Sequence, residues 1–257
     1  MAGSGLKIDA RREKILEILA RDGQVYVTQL SELLKTSVVT IRSDLDSLEQ
    51  EGLLERIQGG AVQTAFGYYN HEFLTNKQIN ADAKLRIGQT AASIVQDGDT
   101  LFMNGGTTTY YTALALKKRK NLIVVTNSIT VAIELGMYPT FTVLLLGGEI
   151  NPHYSFTCGT EALDQLRRYR ATHAILSVDG ICENGISTVH PEEATIARTM
   201  IECAKSTIVV GDASKVGKES FMSIGSLKEI RHFITESTAD QKLLGKFEAN
   251  GISLSLV

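Results

Sequence analysis

The fold is restricted most by seven short apolar runs that recur from residue 100 onward. Their hydrophobic residues follow one another almost without interruption, whereas a strand with one wet face alternates apolar and polar residues. This pattern, interrupted by helical stretches, predicts a Rossmann-like α/β domain with a mostly parallel sheet and with ligands at the carboxyl ends of its strands. The runs are TLFMN, NLIVVTN, FTVLLLG, THAILSVDG, STIVVGD, HFITES and ISLSLV. The predicted helices cover residues 84–95, 107–118, 129–138, 161–169, 192–204 and 239–250.

The N-terminal residues predict a second, smaller domain. The stretch 37–61, SVVTIRSDLDSLEQEGLLERIQGGA, carries apolar residues at helical spacing, and Ser37 stands where an N-cap oxygen would satisfy free amides. Gly52 ends this helix, and a Gly-Gly pair can turn the following extended run back as a hairpin. A helical pattern at 10–22 and a short helix capped by Thr28 come first, so the order predicts a winged helix-turn-helix. The apolar positions of the third helix are Val38, Ile41, Leu45 and Leu48.

The leading turn of this third helix offers the groups that read DNA. A hydroxyl and a guanidinium there can reach phosphates and base edges in a major groove. Charge argues the other way, because residues 1–62 hold eight Lys and Arg against ten Asp and Glu, and nucleic-acid modules are usually basic. Most of the acids near this helix lie later in it or beyond it, so we favour DNA binding over a winged helix that contacts only proteins. The predicted DNA contacts are Ser37, Val39, Thr40, Arg42, Ser43 and Arg56.

Polar residues follow most of the apolar runs. The cluster NGGTTT, residues 104–109, comes directly after TLFM and opens a helix. Its glycines let a ligand approach the backbone, and free amides with three hydroxyls can cradle a phosphate; a tight turn without a ligand is the alternative. The other clusters follow successive strands or a connecting loop, so we expect several to converge on one crevice. They contain Asn127, Gly148, Asp179, Glu192, Asp212 and Lys215.

Length and composition limit the class of protein. A chain of 257 residues with 43% hydrophobic content has room for two domains. Its net charge of −3 points neither to a membrane surface nor to general polyanion binding. The three cysteines are far apart and lack a CxxC pair, so we expect neither a disulfide framework nor a metal site. No apolar run is long enough to cross a membrane, and we expect a soluble cytoplasmic protein.

The hydrophobic period is lost between Val62 and Lys84. We therefore expect a DNA-binding domain at residues 1–62, a linker at 63–83 and an effector domain at 84–257. Four aromatic residues in the linker can anchor it to a surface or take part in a domain or dimer contact. They are Phe66, Tyr68, Tyr69 and Phe73.

The segments RREKILEIL and VTQLSELLKTSVVTIRSDLDSLEQEGLLERIQGGA, within residues 11–61, resemble the N-terminal signature of the DeoR family of bacterial transcriptional regulators. Ser43 stands where the family commonly has arginine, so the family's operator sequence does not carry over. The motifs GGTTT, TNS, LLGG, VDGI, EEA and DASK resemble the family's C-terminal sensor domain, a relative of ribose-5-phosphate isomerase and the CoA transferases.

This resemblance implies a regulator, usually a repressor of sugar-catabolism genes, that leaves DNA when a phosphorylated sugar binds. By position it implies phosphate contacts from Gly106, Thr107 and Thr108, and contacts to the rest of the ligand from Asn127, Asp179, Glu192 and Lys215. Asn104 stands where the family commonly has aspartate. The candidate phosphate ligands are thus Gly105, Gly106, Thr107, Thr108, Thr109 and Lys215. The candidate sugar ligands are Asn104, Asn127, Gly148, Asp179, Glu192 and Asp212.

Three function classes follow from these observations. A ligand-responsive DNA-binding regulator without a resident cofactor leads, and paired half-sites on DNA predict at least a dimer. A sugar-phosphate isomerase-like enzyme is the alternative, because a carboxylate such as Asp179 or Glu192 near a lysine can abstract a proton next to a carbonyl. A dinucleotide-binding redox sensor comes last, since the GxGxxG fingerprint is absent from the sequence.

Overall fold

The computed structural model describes residues 8–64, 73, 76–151 and 154–257. The chain forms two compact units, Met1–Thr75 and Asn76–Val257, which we call the N-terminal unit and the C-terminal unit. Of the four linker aromatics, Phe73 is buried, whereas Phe66, Tyr68 and Tyr69 lie outside the described residues. The division into domains at 62 and 84 stays a prediction.

The N-terminal unit is a winged helix-turn-helix, as predicted. Its three strands pair antiparallel in the order β1-β3-β2, and its helices pack on one hydrophobic core. The elements are α1 (Ile8–Asp22), β1 (Gln24–Tyr26), α2 (Val27–Leu33), α3 (Val38–Gln50), β2 (Leu54–Ile57) and β3 (Gly60–Gln63).

Two details of this unit differ from the sequence prediction. Thr28 does not cap α2, because the helix already begins at Val27 and its N-cap, Tyr26, makes no side-chain cap. Val38 is 37% exposed, since it lies one turn before Ile41 and the core does not extend to the first turn of α3.

The C-terminal unit contains a seven-stranded sheet in which every neighbouring pair is parallel. Its order is β15-β14-β12-β9-β4-β5-β6, and these strands are the seven apolar runs of the sequence. The strands are β4 (Thr100–Met103), β5 (Ile123–Thr126), β6 (Thr142–Leu145), β9 (Ala171–Ser177), β12 (Ala204–Val210), β14 (His232–Thr235) and β15 (Ser253–Leu256). The helices are α4 (Ala81–Ile94), α5 (Thr107–Leu116), α6 (Ile129–Gly136), α7 (Thr160–Leu166), α8 (Pro191–Cys203) and α9 (Gln241–Ala249).

Helices cover both faces of the sheet, which explains why the strands are apolar throughout. Successive strand residues enter two different hydrophobic clusters: Phe102 belongs to one and its neighbours Leu101 and Met103 to the other. Helices α7, α8 and α9 contribute to the first cluster, and α4, α5 and α6 to the second. The inner strands therefore need hydrophobic residues on both of their faces, as expected for a doubly covered parallel sheet, whereas the edge strand β15 alternates serine and leucine.

The antiparallel strands of this unit were not predicted from the sequence. They are three or four residues long, and each contains glycine, a hydroxyl residue or, in Glu149–Asn151, two polar residues, so no apolar run marks them. They form a pair and a three-stranded sheet in the order β10-β11-β13. The strands are β7 (Glu149–Asn151), β8 (Phe156–Cys158), β10 (Gly180–Cys182), β11 (Gly185–Thr188) and β13 (Met222–Gly225).

Candidate functional site

Helix α3 presents five of the six predicted DNA contacts on the side away from its core face. Ser37 caps the helix as predicted, because its Oγ accepts a 3.1 Å hydrogen bond from the backbone N–H of Thr40. Ser37, Val39, Arg42 and Ser43 are exposed, and Thr40 is half-buried. Val39 is 75% exposed, and an apolar side chain so placed suits contact with a thymine methyl group.

The core face of α3 contains a buried carboxylate that sequence reasoning missed. Asp44 is 2% exposed, and it accepts hydrogen bonds from Nη2 of Arg11 at 3.0 Å and from Nε of Arg12 at 3.3 Å. The hydrogen bond to Asp44 raises the pKa of the Arg11 guanidinium. Asp44 lies three residues after Ile41, on the apolar stripe, and that position was the signal for its burial. Arg11 and Arg12 thus connect α1 to α3.

Arg56, the sixth predicted contact, connects the wing to α3. Its Nε donates to the carbonyl oxygen of Gly60 at 3.1 Å, and its Nη1 donates to that of Arg42 at 3.4 Å and to the carboxylate of Asp46. Its backbone N–H donates to Oε1 of Glu49 at 2.8 Å. Arg56 therefore positions the wing and offsets the charge of acids that counted against DNA binding.

In the C-terminal unit, strand order brings four of the predicted clusters side by side. Strands β12, β9, β4 and β5 are consecutive in the sheet, and Asp212, Asp179, Asn104 and Asn127 follow them in that order. Because the carboxyl ends of parallel strands meet at one edge, these residues share that edge. We call Asp212, Asp179, Asn104, Asn127, residues 105–109 and Lys215 the edge cluster.

The turn from Asn104 to Thr109 leaves the start of α5 without a side-chain cap. Gly106 is the N-cap, and at its φ of +137° a Cβ would lie 1.9 Å from Oγ of Ser177, so the position requires glycine. Thr109 Oγ1 donates to the carbonyl oxygens of Gly106 at 2.8 Å and Asn104 at 3.1 Å, so this hydroxyl holds the turn. Uncapped amides at a helix N-terminus attract an anion. Gly105 and Thr108 are buried, and Thr107 is half-buried.

Asn104 joins strand β4 to strand β9. Its Nδ2 donates to the carbonyl oxygen of Ser177 at 2.9 Å, and its Oδ1 accepts from the N–H of Ser177 at 2.9 Å. Nδ2 also lies 3.3 Å from Oε1 of Glu193. An aspartate here would offer no donor to either acceptor. Both ends of the Asn104 amide are bound by the protein, so its observed role is to position its neighbours.

Two carboxylates share one threonine hydroxyl beside this amide. Thr188 Oγ1 lies 2.9 Å from Oδ2 of Asp179 and 3.4 Å from Oε2 of Glu193. Burial, together with the charge of Asp179, raises the pKa of Glu193 to about 8. Since one hydroxyl carries one proton, a protonated Glu193 can donate to Thr188 while Thr188 donates to Asp179. This arrangement favours a neutral Glu193.

The glutamate next to the edge cluster is thus Glu193, while the sequence prediction named Glu192. Glu192 is exposed in the first turn of α8, where it follows Pro191. Glu193 lies four residues before the buried Ala197 and seven before the buried Met200. That helical spacing could have indicated which of the two side chains turns inward.

Lysines reach the edge cluster from two elements. Nζ of Lys215, in the short 3₁₀ helix after β12, lies 3.5 Å from Oδ1 of Asp179. Asp212 is 2% exposed, and its Oδ1 accepts from the N–H of Ser214 at 2.9 Å. Lys84, in the first turn of α4, is only 4% exposed, and burial lowers its pKa while the charge of Asp212 opposes that change. Sequence reasoning did not single out Lys84.

Asn127 directly follows β5, and Gly148 lies shortly after β6. Nδ2 of the fully buried Asn127 donates to the carbonyl oxygen of Thr157 at 3.1 Å, but its Oδ1 finds no hydrogen-bond partner among the described residues. Such an unpartnered buried acceptor can receive a donor from a ligand. Gly148 has a φ of +144°, and a Cβ there would lie 2.3 Å from the carbonyl oxygen of Cys158, so close backbone packing explains this glycine.

The edge cluster can therefore hold an anion and hydrogen-bond a polyhydroxyl compound. Lysines and uncapped amides provide positive charge, and Asp179 and Asn127 provide acceptors. Within the part of the chain that the structure describes, no group of His, Cys, Asp and Glu is arranged to hold a metal ion. Nor does any described helix have the length and hydrophobicity needed to span a bilayer.

A winged helix-turn-helix followed in sequence by an α/β unit whose sheet edge has polar and charged groups suited to a ligand is typical of a ligand-responsive DNA-binding regulator. Comparison with known families agrees: the DeoR-like helix-turn-helix domain matches residues 11–65, and the DeoR C terminal sensor domain matches residues 79–237. The chain belongs to the DeoR family of transcriptional regulators. This family membership does not favour the isomerase alternative.

Individual relatives support the same assignment. The chain is 31% identical to the HTH-type transcriptional repressor GlcR of Bacillus subtilis, over 96% of this chain and 95% of that protein. It is 34% identical to the lactose phosphotransferase system repressor of Lactococcus lactis, over 80% of this chain and 82% of that one. Among solved structures, ribose 5-phosphate isomerase A of Methanocaldococcus jannaschii matches 55% of this chain and 56% of its own, with 17% identity and a TM-score of 0.40.

Proposed function

We propose that this protein represses genes of sugar uptake or catabolism and leaves its operator when a phosphorylated sugar binds the edge cluster. The observation that carries the proposal is the uncapped start of α5 at Gly106, on the same sheet edge as Lys215 and Asp179. Amides and an ammonium suit the phosphate, and carboxylate and amide oxygens suit sugar hydroxyls. Relatives whose names refer to sugar systems, such as the lactose phosphotransferase system repressor, support the class of effector.

In this proposal the two units divide the work. Residues 1–62 contact operator DNA through α3 and the wing, residues 63–83 serve as the linker, and residues 84–257 bind the effector. Two-fold operators read by one such helix per half-site require at least a dimer. A repressor acts on the chromosome, so we place the protein in the cytoplasm.

The test begins with an operator selected from random duplexes by the purified full-length protein. Thermal stability is then measured with a panel of hexose, pentose and triose phosphates and, as matched controls, the same sugars without phosphate. A true effector at a hundred times its Kd should add about 2.7 kcal/mol to the free energy of unfolding. The compound that stabilises the protein should also lower operator affinity in fluorescence anisotropy, because the coupling between two binding sites is reciprocal.

The outcomes separate the parts of the proposal. Stabilisation by the phosphorylated form alone, together with release of DNA, supports it. Equal effects of phosphorylated and plain sugars would show that the edge cluster does not bind phosphate. Catalytic turnover of a panel member would restore the isomerase-like alternative, in which Glu193, with its raised pKa, is placed to exchange a proton.

A further inference from the structure

Lys84 is a buried cation that forms no ion pair with any residue that the structure describes. Its side chain is 4% exposed, and its Nζ donates a 2.6 Å hydrogen bond to the backbone carbonyl oxygen of Asn76. No carboxylate of the described residues is in ion-pair contact with it. A buried ammonium that is held only by a neutral carbonyl is costly, because it has lost most of its hydration without gaining an opposite charge.

The charges around Lys84 are those of the edge cluster. After burial, the largest influences on its pKa are the negative charge of Asp212, which raises it, and the positive charge of Lys215, which lowers it. The ammonium groups of Lys84 and Lys215 thus repel each other, while the buried carboxylate of Asp212 attracts Lys84. An anion bound between Lys84 and Lys215 would remove this repulsion and pair the charge that burial left unpaired.

The acceptor that Lys84 now holds lies where the C-terminal unit begins. Asn76 is the first residue of that unit. Lys77 is attached separately, since its Nζ lies 4.6 Å from the centre of the Tyr110 ring and its carbonyl oxygen accepts from Oη of Tyr111 at 3.2 Å. Asn76 is thus bound by Lys84, whose pKa depends on charges of the edge cluster, whereas Lys77 contacts Tyr110 and Tyr111 of α5.

We propose that Lys84 binds the phosphate of the effector together with Lys215, and that its bond to Asn76 transmits occupancy to the start of the C-terminal unit. A phosphate dianion is a stronger acceptor than a peptide carbonyl, so the bound effector competes for the Lys84 ammonium and loosens Asn76. The chain that precedes Asn76 continues to the DNA-binding unit. This inference rests on the proposed function and assigns a binding and coupling residue within it.

The test compares full-length wild type with Lys84→Met, Lys84→Arg and a matched control, Lys77→Met, which removes a lysine from the same segment. The probes are inorganic phosphate and the sugar phosphate of the panel that stabilises the wild type most. Isothermal titration calorimetry measures Kd, and hydrogen exchange of peptides covering residues 76–84 reports the state of the segment. Operator affinity is measured with and without saturating sugar phosphate.

Lys84→Met should weaken binding of the sugar phosphate at least tenfold, Lys84→Arg should weaken it less, and Lys77→Met should stay within about twofold of wild type. In wild type, the sugar phosphate should speed exchange in residues 76–84; Lys84→Met at saturation should lose that response and most of the change in operator affinity. Without ligand, Lys84→Met should melt no lower than wild type, because it removes an unpaired buried charge. If Lys84 had only a structural role, Lys84→Met would instead lower the stability of the protein and leave its affinity for the sugar phosphate unchanged.

Three results would overturn the inference while the proposed function stands: wild-type affinity in Lys84→Met, an exchange response that survives in Lys84→Met at saturation, or equal losses in Lys84→Met and Lys77→Met. Should Lys84→Met fail to fold, Lys84→Gln takes its place, because it also removes the charge, and wild-type affinity and exchange response in that variant would overturn the inference. If wild type itself binds no member of the panel, the proposed effector fails first.

Discussion

Buried charges have different surroundings in the two units. In the N-terminal unit, Asp44 receives hydrogen bonds from the guanidinium groups of Arg11 and Arg12. In the C-terminal unit, Lys84 donates to a backbone carbonyl, and among the described residues it has no ion pair and Oδ1 of Asn127 has no partner. Asp44, Arg11, Lys84 and Asn127 are all buried, so burial alone does not distinguish them. They differ in whether the protein itself satisfies its polar atoms.

Under the function proposed above, this difference separates a structural cluster from one that binds a ligand. Two arginines neutralise Asp44, and removal of one partner would leave a buried charge exposed to the full cost of desolvation. Lys84, beside the edge cluster, already bears such a cost, which a bound anion would offset. Variants that break or complete these clusters therefore test the comparison directly.

The largest effect is expected from Asp44→Ala. Loss of the carboxylate leaves Arg11 buried and less well paired, so the free energy of unfolding of the N-terminal unit should fall by about 3–5 kcal/mol. Differential scanning calorimetry should show a lower Tm for that unit. The matched control is Arg21→Met, on the same helix as Arg11, whose solvent-exposed pair with Asp22 should contribute little to stability. Equal losses in the two variants would contradict a special role for the buried cluster.

The sequence predicted the parallel strands well, but it predicted the side-chain contacts at their carboxyl ends only in part. Continuous apolar runs found all seven parallel strands, since burial on both faces leaves a plain signal. Strands β10 and β11 left none, because they form a hairpin of only three and four residues that contains glycine in each strand. Topology placed Asp179 and Asn104 on one edge, and helical spacing could have shown that Glu193 turns inward, but only side-chain packing shows that Thr109 bonds the turn.

Lys215→Met should give the next largest effect, because it removes a cation from the edge cluster and keeps much of the side-chain volume. Loss of a desolvated charge partner costs roughly 2–5 kcal/mol, so half-release of DNA should need at least tenfold more effector. Operator anisotropy against effector concentration measures this shift. Lys218→Met, at an exposed lysine three residues on, is the control. Release by wild-type concentrations of effector would show that Lys215 does not bind it.

Glu193→Gln tests the proton shared through Thr188. The pKa of Glu193 is raised from 4.5 to about 8, so the folded state holds a proton that the unfolded state releases within that interval. The stability of the wild-type C-terminal unit should therefore be full below pH 4.5 and fall as pH rises to about 8, by at most about 1.4 kcal/mol per pH unit. Glutamine cannot ionise, so calorimetry of this variant should show a smaller decline. The same slope in both proteins would contradict a neutral Glu193.

Arg42→Ala tests whether the exposed face of α3 reads bases. If Arg42 contacts bases, operator affinity should fall by about 1–3 kcal/mol with little change on random DNA; if it contacts phosphate, both should weaken and the salt slope should fall by about 1. Arg56→Ala should weaken both DNAs alike. Anisotropy titrations at matched salt measure the difference. Unchanged operator binding by Arg42→Ala would remove this residue from the interface.

The smallest effect is expected at the two serine caps, one in each unit. Ser37 Oγ accepts from the N–H of Thr40 at 3.1 Å, and Ser128 Oγ accepts from that of Val131 at 3.3 Å. Replacement of either serine by alanine should lower the stability of its own unit by about 1 kcal/mol, seen as a small shift of one calorimetric transition. Only Ser37→Ala should also weaken operator binding.

Ser37→Asp separates the two roles of this residue. Aspartate caps a helix about as well as serine, so this variant should keep the stability that Ser37→Ala loses. Its negative charge, however, would face the phosphates if the start of α3 enters the DNA groove, and operator affinity should then fall below that of Ser37→Ala. Wild-type affinity in Ser37→Asp would mean that the helix start lies away from the DNA, and the predicted contacts of this first turn would have to be abandoned.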